Sequence, residues 1–219
     1  MASRGHTTEP GRPGPRLYLV SPELADPDGL AAGLAAALGA ATAAAVLLRL
    51  EASDDRTLIN RIKALAGLVQ DTGAALLLDG HPDLVARAGA DGAHLTGIDA
   101  FNAARAALQP ERIAGCGGLT TRHDAMLAGE AGADYVLLGE PDRSGRRPAF
   151  DAVLDRVAWW AEVFEIPCVG FAATLEEIDR LAAAGADFVA VGDCIFGDGR
   201  GPAAAMADAA RRLAPQAVA

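Results

Sequence analysis

Three stretches of the chain repeat one pattern of small, acidic and aliphatic residues: Ala88-Gly-Ala-Asp-Gly-Ala-His-Leu95, Ala131-Gly-Ala-Asp-Tyr-Val-Leu-Leu138 and Ala184-Gly-Ala-Asp-Phe-Val-Ala-Val191. Each closes a helical pattern with a glycine, the residue suited to the left-handed C′ position. Each then enters a short apolar run of the kind buried on both faces of a parallel sheet. Further runs at Leu17–Ser21, Ala45–Leu50, Ala75–Asp79, Ile113–Cys116 and Pro167–Phe171 bring the strands to eight. The segments between them carry helical spacing. Leu58, Ile62, Leu65 and Val69 share one face of a helix predicted over 56–69, and Phe150, Val153, Val157, Trp160 and Phe164 form another apolar stripe, read as core. Thr174-Leu-Glu-Glu177 reads as a capping box. Strands alternating with helices predict parallel βαβ units, and eight of them close a (β/α)8 TIM barrel over residues 16–215. A doubly wound open sheet would want G-x-G-x-x-G after the first strand; Gly115-Cys-Gly-Gly118 is too short and follows the fifth.

Composition narrows the picture. The 219 residues suit one domain, and with 5% aromatics the core must be built from Ala, Val, Leu and Ile. The formal net charge of −10 argues against nucleic acid, which needs clustered cations. Lys63 is the only lysine and falls on an outer helix, which excludes Schiff-base chemistry inside the barrel. Leu30 to Leu48 is uncharged for 19 residues, but it is mostly alanine and broken at Gly39, so it reads as helix plus strand rather than a membrane span. Cys116, Cys168 and Cys194 fit neither a disulfide framework nor a C-x-x-C metal pattern and read as buried thiols. Met1 to Pro15 has no apolar core of a signal peptide and reads as a disordered tail; together these point to the cytoplasm.

In such a barrel chemistry belongs at the C-terminal ends of the strands. The polar residues there are Ser21, Arg49 with Glu51, Asp79 with His81, His94 to Asp99, Gly117–Gly118, Glu140 and Asp193. Acids and an arginine at one mouth suit a divalent cation and a charged substrate. His94 faces either the mouth or the helix layer, and Asp99 reads equally well as a cap of the fourth helix. His123 falls in the first turn of the fifth helix, where Thr120 or Thr121 caps and Asp124 suits the dipole. Arg143, Arg146 and Arg147 form a basic loop, the one candidate anion clamp at the mouth.

The order of these motifs resembles the thiamine phosphate synthase (thiamine-phosphate pyrophosphorylase) family across residues 16 to about 197, as a divergent member. Tyr18-Leu-Val matches its opening strand, and Val46-Leu-Leu-Arg49 is similar to V-Q-L-R-E-K. Leu76-Leu-Leu-Asp-Gly-His-Pro-Asp-Leu84 is similar to I-I-N-D-R-x-D-L. Ala90-Asp-Gly-Ala-His-Leu95 followed by Asp99 resembles A-D-G-V-H-L-G-Q-E-D, the most specific piece. Ala133 to Gly139, Ile166-Pro-Cys-Val and Ala186 to Val191 resemble A-D-Y-I-G-V-G-P, I-P-V-V-A-I-G-G and A-D-G-V-A-V.

The resemblance implies an enzyme that joins hydroxymethylpyrimidine diphosphate to thiazole phosphate and releases pyrophosphate. Its partners would be these small phosphates; charge and composition leave out nucleic acid and membrane, and a homodimer is one oligomeric state left open. Carried over by position, Arg49, Asp99 and His94 form the catalytic group, and Asp79 with Asp99 would bind Mg2+. Tyr18, Arg49, Gly117, Gly118, Gly139, Glu140, Arg146, Ala172, Ala173 and Asp193 would contact substrate or phosphate. The match is partial. One metal aspartate is Gly80, with Asp79 standing where the family has Asn; the family's Gln is Leu47 and its Lys is Glu51. A serine–threonine pair has become Gly117–Gly118, T-x-T-K reads Glu140-Pro-Asp-Arg-Ser-Gly-Arg146, and Gly-Gly reads Ala172–Ala173. Asp193 replaces a small residue. Each charge change opposes phosphate, by roughly 4 kcal/mol per close pair at a protein-like dielectric. Two other readings stay open: a paralogue that binds a pyrimidine or thiazole, tautomerase-like or non-catalytic, and a different enzyme using Glu140 or Asp193 as general base.

Overall fold

A computed structural model of the chain describes residues 14–142 and 144–214. Almost all of the predicted tail, Met1 to Pro15, therefore lies outside the described residues, as do Arg143 and residue 215. Eight parallel strands close a barrel in sequence order: β1 (Arg16–Leu24), β2 (Ala43–Leu50), β3 (Ala75–Asp79), β4 (Gly92–Thr96), β5 (Ile113–Gly117), β6 (Tyr135–Leu138), β7 (Cys168–Ala172) and β8 (Phe188–Val191), with β8 returning to β1. The helices are α1 (Pro27–Ala40), α2 (Asp55–Gln70), α3 (Val85–Ala88), α4 (Ile98–Leu108), α5 (Arg122–Glu130), α6 (Phe150–Val163), α7 (Leu175–Ala183), α8 (Asp193–Phe196) and α9 (Pro202–Leu213). No described helix is long and apolar enough to cross a membrane.

The repeated Asp explains the repeat. Asp91 Oδ2 accepts the backbone N–H of Leu76 at 2.7 Å, Asp134 Oδ2 that of Ala114 at 2.8 Å, and Asp187 Oδ2 that of Cys168 at 2.8 Å. In each copy the aspartate just before one strand holds the start of the preceding strand. Its own N–H also donates back to that strand, at 2.8, 3.0 and 3.0 Å. The glycine before it, Gly89, Gly132 or Gly185, has φ of 76°, 87° or 92°, the left-handed turn that ends the helix. The fold thus staples the bottom of the barrel three times with one device.

Two apolar shells follow. The larger lies between barrel and helices and contains the predicted α2 stripe Leu58, Ile62, Leu65 and Val69, all buried, together with Val153, Val157 and Trp160 of α6. The smaller fills the barrel with Tyr18, Leu47, Leu77, Tyr135, Leu137 and Val169. Lys63 is exposed on α2, as its outer position requires. Cys116 and Cys168 are buried and Cys194 is half-buried, and none of the three is in a disulfide. Burial pushes the Cys116 thiol up to about 12, which removes it as a nucleophile.

One local expectation fails. The Thr174 side chain makes no cap hydrogen bond and instead bonds the Glu176 carboxylate, while Glu177 accepts the Ala173 N–H and pairs with Arg147. A capping box does form at α5, where Thr121 Oγ1 accepts the Asp124 N–H at 3.1 Å and Asp124 Oδ2 accepts the Thr121 N–H at 2.9 Å. His123 sits exposed in that helix start.

Candidate active site at the C-terminal mouth

The strand ends surround a cavity of about 1950 Å³. A shallower hollow of about 290 Å³ at the opposite face is lined by Leu17, Ala43 and Leu213 and has Arg16 as its one charged residue, so the chemistry belongs to the mouth. Arg49, Asp79, His94, Gly118, Gly139, Glu140, Arg146 and Asp193 all line the mouth.

Arg49 is set by Ser21. The buried serine hydroxyl donates to Pro22 O at 2.7 Å and accepts the Arg49 backbone N–H at 3.1 Å, tying the end of β2 to β1. Arg49 Nε then lies 3.9 Å from Asp79 Oδ2, with both side chains partly open to water. At that distance and exposure the pair is weak, so the guanidinium is available to an incoming anion.

Below them is a buried polar chain. Tyr18 Oη and Tyr135 Oη are 2.8 Å apart, and Tyr135 Oη is 3.0 Å from His94 Nδ1. The Tyr135 ring stacks on His94 and meets Tyr18 edge-on. The register explains the space: Tyr135 stands opposite Gly115, where an added Cβ would come within 2.0 Å of the ring. Burial raises both tyrosines above the usual phenol range, and burial lowers His94 against the opposing pull of the Asp79 carboxylate. The chain is therefore neutral at neutral pH and supplies hydrogen bonds rather than charge.

Glu140 crosses from the end of β6 to β5, where its Oε1 accepts the Gly118 N–H. Burial pushes its carboxyl up to about 7; the Gly118 hydrogen bond pulls the other way. The Gly118 backbone, at φ 66°, is left-handed and suits glycine.

The expected phosphate half is different. Ala173, whose N–H would face a phosphate, donates instead to Glu177 Oε2 at 2.7 Å. Glu177 is paired through both oxygens with Arg147 Nη1, at 2.9 and 3.1 Å, and the Arg147 guanidinium lies between the rings of Phe150 and Phe171. Arg146 is exposed and pairs with Asp142, whose Oδ1 also gathers the Ser144 N–H, the Ser144 hydroxyl and the Arg146 N–H. These bonds hold Asp142 down at about 2 and give the loop a defined turn. Asp193 is exposed at the first position of α8.

Of the two carboxylates assigned to magnesium, Asp79 lines the cavity. Asp99 is exposed in the first turn of α4, outside the lining residues, and does not cap that helix, whose N-cap is Gly97. Among the described residues no group of three or more His, Cys, Asp or Glu is placed to hold a metal ion. Tyr18, Gly117, Ala172 and Ala173 are not among the residues that line the cavity. Tyr135 and the Arg147–Glu177 pair were not singled out from sequence for these roles. The available signal for Tyr135 was its place in the repeat, where the other two copies carry Gly92 and Phe188.

A family model described as thiamine monophosphate synthase matches residues 17–195. A thiamine-phosphate synthase of Rhodospirillum centenum is 41% identical over 196 residues, 88% of this chain and 95% of the relative. One from Hyphomonas neptunium is 34% identical over 208 residues, 91% and 94%. A solved thiamine phosphate pyrophosphorylase from Pyrococcus furiosus superimposes with a TM-score of 0.77 at 21% identity, covering 90% of this chain and 95% of that one, which is a likeness of fold.

Proposed function

The chain belongs to the thiamine monophosphate synthase family, and on that premise we propose that its mouth joins hydroxymethylpyrimidine diphosphate to thiazole phosphate. The observation that carries the reading is Arg49 standing 3.9 Å from Asp79 above the neutral Tyr18–Tyr135–His94 chain. In the reaction the methylene C–O bond breaks with its electron pair leaving on pyrophosphate, and the thiazole nitrogen lone pair forms the new C–N bond. The protein's tasks are to hold the diphosphate, orient the ring and keep water from the cation.

Arg49 is the cation with the weakest internal commitment among the lining arginines just described, and it takes the diphosphate. Leu47, Leu95, Leu137 and Phe171 line the cavity and keep the reacting carbon dry. The donor set suits a magnesium ion carried in by the diphosphate, since one or two protein carboxylates with substrate phosphates satisfy that ion. Asp79 would hold it, whereas Asp99 is exposed outside the cavity lining and would not reach it. When bound, magnesium supplies charge neutralisation to the departing pyrophosphate.

Arg49→Ala tests this directly. Losing a charge-assisted contact to a buried diphosphate lowers kcat/KM by about 100-fold. Activity within about threefold of the parent would remove Arg49 from the site. A second reading, a paralogue that binds unphosphorylated ligands, is favoured by the Ala173 N–H being taken by Glu177. It expects tighter calorimetric binding of the thiazole alcohol than of its phosphate, and the reverse order rejects it.

A further inference from the structure

Gly117 ends β5 and Glu140 follows β6 on the neighbouring strand. The space a Gly117 side chain would fill is closed by two polar atoms: an added Cβ would lie 2.2 Å from Glu140 Oε1 and 2.6 Å from His94 Nε2. Glu140 is held there by the Gly118 N–H, and His94 is held from below through Nδ1 by Tyr135 at 3.0 Å. Two side chains from different strands thus converge on one point, and the absence of a side chain at 117 is what lets them. Both line the cavity, among the aliphatic side chains of Leu47, Leu95 and Leu137.

Holding a carboxyl in such a place is costly, and one backbone N–H does not require it. A half-buried carboxyl beside an imidazole in an apolar cavity has the form of a recognition pair for a polar ring edge. We propose that Glu140 is a specificity-determining residue for the ring half of the substrate, its carboxyl receiving the exocyclic amine of an aminopyrimidine. His94 Nε2 meets the adjacent ring nitrogen and acts as the positioning partner. An aminopyrimidine edge offers an N–H beside a nitrogen lone pair. An oxopyrimidine of the same shape offers a carbonyl oxygen beside a ring N–H, which sets oxygen against the Glu140 carboxyl. Unpaired polar groups in a closed site are what make such discrimination large. The inference rests on the pyrimidine reading given above.

The test is calorimetry on the full chain with the unphosphorylated hydroxymethyl aminopyrimidine and its oxo analogue, with thermal melts to check folding. At about pH 8.5, where the Glu140 carboxyl is ionised, the unaltered protein prefers the amino ring by about tenfold or more, as expected for a hydrogen bond to a charged group. Glu140→Leu brings the two ligands within about threefold, and Glu140→Gln, whose amide accepts from the amine or turns over to donate to the oxo group, loses most of the preference while keeping affinity for both rings. Gly117→Ser displaces the carboxyl without removing it and erodes the preference in the same way, so the proposal is tested even if Glu140→Leu fails to fold. An unaltered protein with no preference, or full preference in Glu140→Leu or Gly117→Ser, overturns it. Ring preference without turnover of the phosphorylated precursors overturns the catalytic reading alone. Turnover with an unaffected Glu140→Leu overturns this one alone.

Discussion

Glu140 should leave a mark on the pH dependence of folding. In the unfolded chain its carboxyl titrates at the ordinary value of 4.5, and in the fold burial raises it to about 7. Between those values the folded protein keeps a proton that the unfolded chain has released. Stability contributed by this group is therefore full below the lower value and lost as pH rises through the upper one. At 1.36 kcal/mol per unit, that interval sets a loss of at most about 3 kcal/mol, reduced because the side chain keeps some contact with water. Glu140→Gln has no proton to lose. Urea unfolding of both proteins from about pH 4.5 to about pH 8.5 should show the variant gaining on the parent by about 2 to 3 kcal/mol across the range. His94, lowered mainly by burial, works in the opposite sense as pH falls through the ordinary imidazole value, but it is present in both proteins and largely cancels in the difference. A difference that stays within about 0.5 kcal/mol over the range would refute the buried placement of this carboxyl.

Two further substitutions probe the frame around it. Gly115→Ala places a methyl where the Tyr135 ring lies, so it should cost about 2 kcal/mol in chemical denaturation and disturb the near-ultraviolet tyrosine signal; an unchanged protein contradicts the packing. Glu177→Ala leaves the Arg147 guanidinium, only 21% exposed, without its carboxylate and should cost about 3 kcal/mol. The same loss in Arg147→Ala, with a non-additive double variant, identifies the pair, and additivity contradicts it.

Much of this architecture is legible in the chain. The A-G-A-D copies mark strand starts because the glycine turn and the aspartate staple are local chemistry, fixed by residues a few positions apart. The α2 stripe is legible for the same reason. What escapes is whatever depends on register and reach. Tyr135 looks like one more apolar strand residue until β6 is set beside β5 and Gly115 opens the space for its ring. Glu177 has the spacing of a capping residue, yet Arg147 from the loop between β6 and α6 captures it. Strand β1 continues past Ser21 to Leu24 because its pairing with β2 shifts between Val20 and Glu23, an irregularity with no marker in the apolar pattern. At the mouth, strand ends place Arg49, Asp79, His94 and Glu140 together as their positions imply, whereas Asp99, in the first turn of α4, is exposed outside the cavity lining.

The central claim is that this mouth carries out the family's coupling. The direct measurement is incubation of the purified chain with hydroxymethylpyrimidine diphosphate, thiazole phosphate and magnesium, following thiamine phosphate and pyrophosphate together. The account expects both products in one-to-one yield, abolished when either precursor is omitted. A folded protein that binds the pyrimidine diphosphate and releases neither product contradicts it.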